Sequence, residues 1–345
     1  MAGYLALKGF SVRLYDIFQE TINAINDQGG IRLEGSVQGL GKLSLATTDI
    51  SQALAGADIV MVVAPALAHS DIASSCAPYL ADGQLVFLHP GATGGCLAFK
   101  QVLDRSGVTA RVTLAEANSL LYACRCPQAG QATVLGVKRA LTVAALPATE
   151  NSRALAMLNT AFPQMRAGSN VLETSLANPN AIMHPAPTLL NTSMIESGRD
   201  WLYYWDGITP SIGAFVEALD RERLMVGQAF GLDLAAICQW YKEAYNANGD
   251  TLCEAVKNNP AYSGVKGQST LRTRYLLEDI PMGLVPMAAL AAAAGVDVPM
   301  INLVIQLGEC LVGGNLTAKA RTLEALGLAG KSVDDILRLV NTGTL

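Results

Sequence analysis

The chain opens with a helix and a strand that read as the second half of a βαβ unit. Residues 1–10 predict a helix that stops at Gly9, and Ser11–Asp16 predict a strand that ends in an acid. In a dinucleotide-binding unit, a carboxylate at this strand end binds the ribose hydroxyls, about 20 residues after a glycine-rich turn that holds the pyrophosphate. Asp16 is present here and the glycine-rich turn is not. The pattern predicts a dinucleotide-binding sheet without its first strand.

The first strand of such a sheet is central and has neighbours on both edges. Unpaired backbone groups in a buried slot cost about 1 to 3 kcal/mol each, against a net stability of about 5 to 15 kcal/mol. We therefore expect the native protein to be longer at its N-terminus. The alternative is an ordinary helix–strand pair that ends in a surface acid.

The composition indicates a protein of two domains that binds small molecules. The 345 residues are 51% hydrophobic and 15% charged, so the chain can bury a large core. A net charge of −5 leaves no basic surface for nucleic acid. The seven cysteines are scattered, and only Cys124 and Cys126 are close. We therefore expect neither a metal site nor a disulfide framework, and we predict a cytoplasmic location.

The most apolar stretch of the chain lies in its second half. Met282–Val296 contains Pro286 and is closed by Asp297, so we expect it to be too short and too interrupted to span a membrane. The N-terminus lacks the basic, apolar, small-residue order of a signal peptide. An apolar helical region can be a self-contained core or a dimer face, so a homodimer remains one of two possibilities.

Three apolar runs predict a parallel sheet. They are Asp58–Ala64, Gln84–Leu88 and Arg111–Ala115. Continuous runs of this kind are typical of strands covered on both faces, and the turns after such strands form a ligand crevice. The turn residues Ala64, Pro65 and Gly91 are therefore candidate cofactor contacts. Two shorter runs, Ile31–Leu33 and Lys42–Ala46, resemble an inserted hairpin.

The chain changes character near Val171. Two further β-rich runs lie between residues 133 and 146, and from about Leu172 onward the sequence shows helical periodicity and many alanines. We predict a Rossmann-like doubly wound α/β domain over residues 1–170 and an all-α domain over residues 171–345.

A histidine acid or base must be His69, His89 or His184, because the chain has only three histidines. The first two follow sheet strands and are either crevice residues or turn residues. His184 is flanked by Pro185 and Pro187, which fix the backbone around the imidazole at the start of a helix. A rigid frame suits a catalytic group, although prolines at such positions also occur with no function.

A second cluster of polar residues lies between Arg272 and Gly283. Arg274 and Asp279 are close in sequence, and Pro281 ends or bends the helix just after the acid. An arginine can clamp a carboxylate through two parallel hydrogen bonds, and an aspartate can orient a histidine and stabilise its charged form. The alternative is a surface charge pair with i,i+4 or i,i+5 spacing.

Together these segments resemble the octopine/nopaline (opine) dehydrogenase family over essentially the whole chain. The resemblance rests on His184–Asn191, Arg274–Val285, His89–Gly95 and Tyr122–Arg125. It implies a nicotinamide-binding domain followed by a helical domain, with His184 and Asp279 as the catalytic pair. It also implies that Arg274 holds a substrate carboxylate and makes Asn191 a candidate substrate contact. The chain departs from the family at its N-terminus and at Leu121, where similar proteins tend to carry proline.

The reaction implied by the resemblance joins a 2-oxo acid to the amine of an amino acid. The resulting imine is reduced by a nicotinamide hydride to a secondary amine that carries two carboxylates. His184 would transfer the proton and Asp279 would hold its tautomer. Arg125 and Glu116 follow the third predicted strand and either contact substrate or nicotinamide or form a structural ion pair. Trp201 and Trp205, with the tyrosines between them, wall the amino-acid pocket or pack as helix residues.

Asp16 favours NAD over NADP, because a carboxylate repels the 2′-phosphate and Ile17–Gln19 offer no arginine to receive it. NAD is therefore the expected cofactor, with NADP possible. A ketopantoate- or glycerol-3-phosphate-type reductase fits the same architecture and would rely on a lysine, for which Lys242, Lys257 and Lys266 are candidates. A truncated form without catalysis is a third interpretation.

Overall fold

A computed structural model describes residues 1–344. The strands are β1 (Arg13–Tyr15), β2 (Ile31–Gly35), β3 (Gly39–Gly41), β4 (Leu45–Thr47), β5 (Ile59–Val62), β6 (Leu85–Leu88), β7 (Thr113–Ala117), β8 (Tyr122–Arg125), β9 (Gln131–Val137), β10 (Leu141–Leu146) and β11 (Met165–Ala167). The helices of the first half are α1 (Ala2–Leu7), α2 (Gln19–Asp27), α3 (Ile50–Leu54), α4 (His69–Cys76), α5 (Gly95–Arg105) and α6 (Asn151–Leu158).

The helices of the second half are α7 (Val171–Leu176), α8 (Asn180–Met183), α9 (Pro185–Leu190), α10 (Thr192–Glu196), α11 (Pro210–Ala229), α12 (Ile237–Tyr245), α13 (Leu252–Lys257), α14 (Arg274–Leu277), α15 (Val285–Ala294), α16 (Pro299–Val312) and α17 (Val333–Thr342). Short 3₁₀ turns cover Ala66–Ala68, Ala77–Tyr79, Ala148–Glu150 and Pro260–Tyr262, and a π-helical turn covers Ile280–Leu284.

The main sheet has the strand order β11-β10-β7-β6-β5 among the described residues. Strands β5, β6 and β7 are parallel, as predicted, whereas β10 runs antiparallel to β7. Strands β6 and β7 are buried along their whole length, but in β5 only Val62 is buried. The side chains of β5 nevertheless pack on both faces, as predicted: Val60 and Val62 join one hydrophobic layer, and Ile59 and Met61 pack against the other. They are less fully buried because β5 lies at the edge of the sheet.

The first strand pairs outside the main sheet. Within residues 1–344, β1 runs parallel to β4, and these two strands form a sheet of their own. The predicted hairpin was only half right: β2 pairs with β3, whereas the run Lys42–Ala46 leads into β4 instead. Strand β2 also pairs with β9, which pairs with β8, so the hairpin belongs to a third sheet.

The main sheet separates two hydrophobic layers. Alternate side chains of β6 point to opposite faces, as a strand requires. Leu85 and Phe87 pack with α6 and partly with α1, whereas Val86 and Leu88 join the core that α5 and the helical half share. The helical half therefore docks directly on one face of the sheet.

The helical half is built around α11, its 20-residue helix. Pro210 stands in the first turn and the Thr209 side chain accepts a hydrogen bond from the Ile212 N–H, so both helix-start signals are present. Helix α11 packs against α7, α8, α9, α13, α15 and α16. It therefore supports the short helices that carry the candidate site.

The apolar stretch of the second half is longer than the sequence suggested. The helical run Arg274–Ala294 has 21 residues and is apolar enough to cross a membrane by length and composition, contrary to the expectation that this region is too short. Of its most apolar window, 61% is buried inside the protein. The run is a central packing element of the helical half.

The turn after β6 is packed tightly against Glu116. The Gly91 N–H donates to the Ala117 carbonyl at 3.1 Å. A Cβ atom on Gly91 would come within 2.6 to 2.8 Å of the Glu116 side chain. Glu116 is fully buried and hydrogen-bonded, so it has no room to move. Close packing against Glu116 thus explains why a glycine occupies position 91. The cofactor contact predicted from its position is a separate role.

We expect Gly91→Ala to lower the free energy of unfolding by about 1 to 3 kcal/mol, as overpacking of a dense core does. Denaturant unfolding followed by circular dichroism measures this change. Gly136→Ala is the matched control, because a Cβ at that glycine meets nothing within 4 Å. Equal stability of the two variants would contradict the packing shown here.

Candidate active site

His184 and Asp279 face each other where the helical half meets the sheet domain. The Nδ1 atom of His184 lies 2.7 Å from Oδ2 of Asp279. An ionised carboxylate only accepts hydrogen bonds, so Nδ1 carries the proton and Nε2 is left for chemistry. Both side chains are nearly buried, at 7% and 10% exposure. Within residues 1–344, Nε2 has no hydrogen-bond partner and is not fully buried, so solvent can reach it.

The side chain of Tyr203 fixes the backbone at His184 through hydrogen bonds. His184 joins the end of α8 to the start of α9, where Pro185 is the first helical residue. The Tyr203 hydroxyl lies 2.8 Å from the His184 carbonyl oxygen and 3.1 Å from that of Met183. Burial raises the pKa of Tyr203, so its hydroxyl stays protonated and can donate. The rigid frame that the prolines predicted is present, and a buried tyrosine reinforces it.

Arg274 lies beside this pair but faces solvent. Its Nη1 is 3.9 Å from Oε2 of Glu278, an i,i+4 pair, and its side chain is 57% exposed. Its guanidinium carbon lies 5.9 Å from the Tyr275 ring centroid. The surface pairing that the sequence left open therefore exists, with Glu278 as the partner. A half-exposed guanidinium with one weak partner can still receive a carboxylate.

Glu278, which directly precedes Asp279, connects the end of α14 to the turn after β5. Its Oε1 accepts a hydrogen bond from the Ala66 N–H at 2.9 Å. Ala64 and Pro65, the candidate cofactor residues, immediately precede Ala66, and Pro65 is exposed. The predicted cofactor turn and the segment that carries Asp279 are thus in direct contact across the interface between the domains.

Arg321 makes a second connection, which no sequence pattern predicted. Its guanidinium donates to the carbonyl oxygens of Gly91 and Thr93, at 2.9 and 2.7 Å, and to Nδ1 of His69 at 3.0 Å. His69 in turn lies 3.3 Å from the Ala64 carbonyl oxygen through Nε2. Burial lowers the pKa of Arg321 to about 10, so it remains charged at neutral pH. One residue thereby ties the turns after β5 and β6 together.

His69 and His89 are buried structural residues. Burial, reinforced by the charge of Arg321, lowers the pKa of His69 to about 3. Burial also lowers the pKa of His89 to about 3, and its Nε2 accepts a hydrogen bond from the Leu121 N–H at 3.0 Å. Both rings are therefore neutral at physiological pH and engaged in the fold. His184 is left as the histidine that can transfer a proton in the cleft.

Glu116 does not face the crevice, contrary to one predicted role. Its carboxylate accepts hydrogen bonds from the Cys96 N–H at 2.7 Å and from the hydroxyls of Thr174 and Ser175 at 2.8 and 3.0 Å. Burial raises its pKa, and these hydrogen bonds oppose the rise. Glu116 therefore joins the sheet to α7. The predicted ion pair with Arg125 is not formed between these two described residues.

Arg125 ends β8 as an exposed residue, with Nη1 donating to the Cys124 carbonyl at 3.1 Å. Burial raises the pKa of Tyr275, and the positive charges of Arg274 and Arg125 oppose that rise. The role of Arg125 as a substrate contact stays a prediction.

The amide nitrogen of Asn191 makes structural hydrogen bonds, and the predicted substrate contact of this residue stays a prediction. Its Nδ2 donates to the carbonyl oxygens of Pro187 and Gly207, at 2.8 and 2.9 Å, so both amide hydrogens are engaged with backbone. This ties the end of α9 to the segment that contains Trp201 and Trp205. That segment is a loop rather than the predicted helix, with Trp201 buried and Trp205 44% exposed.

The end of β1 places Asp16 beside exposed apolar side chains. Its Oδ1 accepts a hydrogen bond from the Phe18 N–H at 3.0 Å, which starts α2. Ile17 and Phe18 are 69% and 64% exposed, and Val63 at the end of β5 is 46% exposed. A carboxylate next to an apolar surface suits the ribose and adenine of a dinucleotide.

A sheet domain with crevice turns that face a His–Asp pair on a helical domain defines a two-domain dehydrogenase of the nicotinamide-dependent class. Residues 167–312 match the family described as NAD/NADP octopine/nopaline dehydrogenase, alpha-helical domain. The chain is 44% identical over 330 residues to an opine dehydrogenase of Arthrobacter sp. (strain 1C), a match that covers 95% of this chain and 92% of that one. The chain therefore belongs to the opine dehydrogenase family, and the resemblance is confirmed.

Solved structures support the same fold. The structure of octopine dehydrogenase with NADH and L-arginine has a TM-score of 0.79 and 25% identity, covering 97% of this chain and 94% of that one. A ketopantoate reductase family structure from Ralstonia eutropha has a TM-score of 0.62 and 20% identity, covering 90% and 93%, and so shares the fold alone. The predicted fold class is thereby confirmed. The lysines that the ketopantoate-type alternative would need, Lys242, Lys257 and Lys266, are all exposed.

We expect Asp279→Asn to reduce turnover by about 10² to 10⁴, because an amide can hold the imidazole in the wrong tautomer. Steady-state kcat in the reductive direction measures this loss. Asp200→Asn is the control, since the Asp200 side chain is 96% exposed and pairs only with Lys266 at 3.6 Å. A turnover for Asp279→Asn within about threefold of the parent would remove the orienting role.

Proposed function

We propose that this chain joins a 2-oxo acid to the amine of an amino acid with a hydride from NADH, and that it catalyses the reverse oxidation. The observation that carries the proposal is the 2.7 Å hydrogen bond between His184 and Asp279, with Nε2 open to the cleft. Membership of the opine dehydrogenase family supports the reaction class. The octopine dehydrogenase structure of the same fold contains NADH and L-arginine, and this supports the ligand classes.

His184 supplies the proton that the reaction needs. Condensation releases water and leaves a C=N bond, and reduction adds one hydride to carbon and leaves one proton on nitrogen. In the reductive direction the imidazolium of His184 gives the proton through Nε2, and in the oxidative direction the neutral ring removes it. Asp279 holds Nδ1–H throughout and stabilises the charged ring, so only Nε2 changes its proton.

The substrates carry carboxylates, and two arginines flank the histidine. Arg274 offers a planar fork that matches a carboxylate, and its exposure leaves the fork accessible. The positive charge of Arg125, at the end of β8, opposes the rise in the pKa of Tyr275. We assign Arg274 to the carboxylate of one substrate and Arg125 to the carboxylate of the other substrate.

The nicotinamide cofactor would lie along the carboxyl ends of β1, β5 and β6. Asp16 would receive the ribose hydroxyls, with Ala64, Pro65 and Gly91 in the turns of the crevice. When bound, the cofactor supplies the hydride. Asp16 favours NAD over NADP for the electrostatic reason given above. The exposed Ile17, Phe18 and Val63 provide an apolar surface of the kind that a base requires.

We expect NADH oxidation by this chain to require both a 2-oxo acid and an amine. Pyruvate alone and pyruvate with each of a panel of amino acids are compared, and mass spectrometry identifies the secondary amine. Oxidation with pyruvate alone would favour the ketopantoate-type alternative. Absence of oxidation under all conditions would favour the form without catalysis. His184→Asn is the control for background oxidation, and its turnover should fall by about 10² to 10⁴.

We expect Arg274→Lys to raise KM for one substrate by about 10- to 100-fold with a smaller effect on kcat, because a point charge does not reproduce the two parallel hydrogen bonds. Varying the 2-oxo acid and the amino acid separately identifies which carboxylate is bound. Arg272→Lys is the matched control, since Arg272 is an exposed neighbour whose Nη1 donates to the Val312 carbonyl. Unchanged KM for both substrates would exclude the assignment.

A further inference from the structure

Tyr275 lies flat against the ring of His184. The two ring centroids are 3.8 Å apart and the ring planes differ by 1°. Among the described aromatic pairs that include this histidine, the other is the edge-on contact with Tyr203, at 6.5 Å and 75°. A face-to-face contact this close covers one side of the imidazole. It leaves the edge that carries Nε2 open.

Tyr275 and Asp279 both contact the His184 side chain, and they lie about one helical turn apart in the sequence. They are four residues apart, so consecutive helical turns place them on the same face. Asp279 binds the ring in its plane through Nδ1, and Tyr275 covers the ring from above. Tyr203 fixes the backbone carbonyl of the same residue. The imidazole is therefore restrained in its plane, over one face and at its backbone.

An aromatic face is the negative end of the ring quadrupole and attracts a cation placed over it. The imidazolium that donates the proton is such a cation, whereas the neutral ring is not. A face contact at this distance thus favours the charged ring over the neutral one. The charge of Arg274, 5.9 Å from the same tyrosine ring, opposes this preference, but its side chain is 57% exposed and screened by solvent.

The other charged groups around the histidine are engaged elsewhere or belong to the site. Those that face the ring or its partners are Asp279, Glu278, Arg274, Arg125, Tyr203 and Tyr204. On α11, which packs against α9, Asp220 is paired with Arg223 at 2.7 Å. Glu222 accepts hydrogen bonds from the N–H groups of Met300 and Ile301 at the start of α16. These α11 charges are engaged within the helical core.

We propose that Tyr275 is a positioning residue that holds the His184 ring in the plane of Asp279 and favours its protonated form through the aromatic face. The inference rests on the proposed function, in which His184 donates the proton. The ring face carries the effect and the hydroxyl does not. Phenylalanine at position 275 should therefore preserve the effect, and an aliphatic residue of similar size should lose it.

The experiment measures kcat against pH in the reductive direction for the parent, Tyr275→Phe and Tyr275→Leu. The protonated ring is required, so turnover is lost as pH rises through the midpoint of the profile. Loss of the aromatic face removes a preference for the charged ring and moves this midpoint to lower pH, by about 0.5 to 1 pH unit. Tyr275→Phe should keep the parent midpoint. KM for NADH should stay within about threefold in both variants, since neither substitution alters the cofactor turns directly.

Tyr245→Leu is the matched control. Tyr245 belongs to the same aromatic cluster and contacts Tyr241, Tyr262 and Trp240, but it is not paired with His184. A structural loss in this cluster would appear in both leucine variants as lower thermal stability without a shifted midpoint. An unshifted midpoint in folded Tyr275→Leu would overturn the proposal. An equal shift in Tyr275→Phe would also overturn it, because the hydroxyl would then be responsible.

A second measurement tests the role of Tyr275 without depending on turnover. The chain has three histidines, so ¹⁵N-histidine NMR of the substrate-free protein can follow each ring against pH. His69 and His89 stay neutral through the physiological range, since burial lowers the pKa of each to about 3. The remaining resonance should titrate at lower pH in Tyr275→Leu, or in Tyr275→Met if leucine prevents folding. Parent protein without turnover would contradict the proposed function, whereas an unshifted titration would contradict the role of Tyr275.

Discussion

The interface between the sheet domain and the helical domain is held by buried charged groups, and the geometry of the site depends on them. Glu116 at the end of β7 binds the N–H of Cys96 and two hydroxyls on α7. Arg321 binds carbonyl oxygens in the turn after β6 and the ring of His69. A buried charge without partners costs several kcal/mol, so docking in any other register would leave these groups unsatisfied. In the observed arrangement both of these buried charges are hydrogen-bonded.

The three histidines show how environment decides which residue does chemistry. His69 and His89 are surrounded by donors, cations and apolar atoms, and burial lowers the pKa of each to about 3. His184 is almost as buried, yet it has a carboxylate at 2.7 Å and an aromatic face at 3.8 Å. The same side chain is thus a neutral structural group at two positions, and at the third it is the proton carrier that we propose.

The parts of this arrangement that could be predicted from sequence are those with local signals. The apolar runs predicted β6 and β7, and the prolines around His184 predicted its rigid frame. The alternation of β7 contains a further signal: Leu114 faces the helical half, so Glu116, two residues later, faces the same way. The spacing of Tyr275 and Asp279 likewise places both on one helical face.

Other features arise only when distant segments dock. Arg321 binds residues that are 228 to 252 positions away in the chain, and no local pattern marks it as different from a surface arginine. How fully β5 is buried depends on which strands pair with it, and apolar content does not reveal strand order. The structural bonds of Asn191 could not be predicted for the same reason, since its partner Gly207 lies 16 residues away in an irregular loop.

The π-helical turn Ile280–Leu284 joins the docking of the domains to the geometry of the catalytic pair. It begins directly after Asp279, and the carbonyl oxygens of Pro281 and Met282 accept hydrogen bonds from the N–H groups of Arg321 and Thr93, each at 3.1 Å. On its other side, Gly283 packs so closely on Ala181 of α8 that a Cβ would lie 2.7 Å from the alanine Cβ. Helix α8 ends at His184.

One turn therefore contacts the turn after β6, Arg321 and the helix that carries the histidine. Pro286 has no N–H, so it cannot donate to the Met282 carbonyl at i,i+4 or to the Pro281 carbonyl at i,i+5, and both oxygens are free to bind other segments. A shift of the helical half relative to the sheet would move the aspartate together with this turn. The His184–Asp279 distance is thus set by the same contacts that bring the helical half onto the crevice turns.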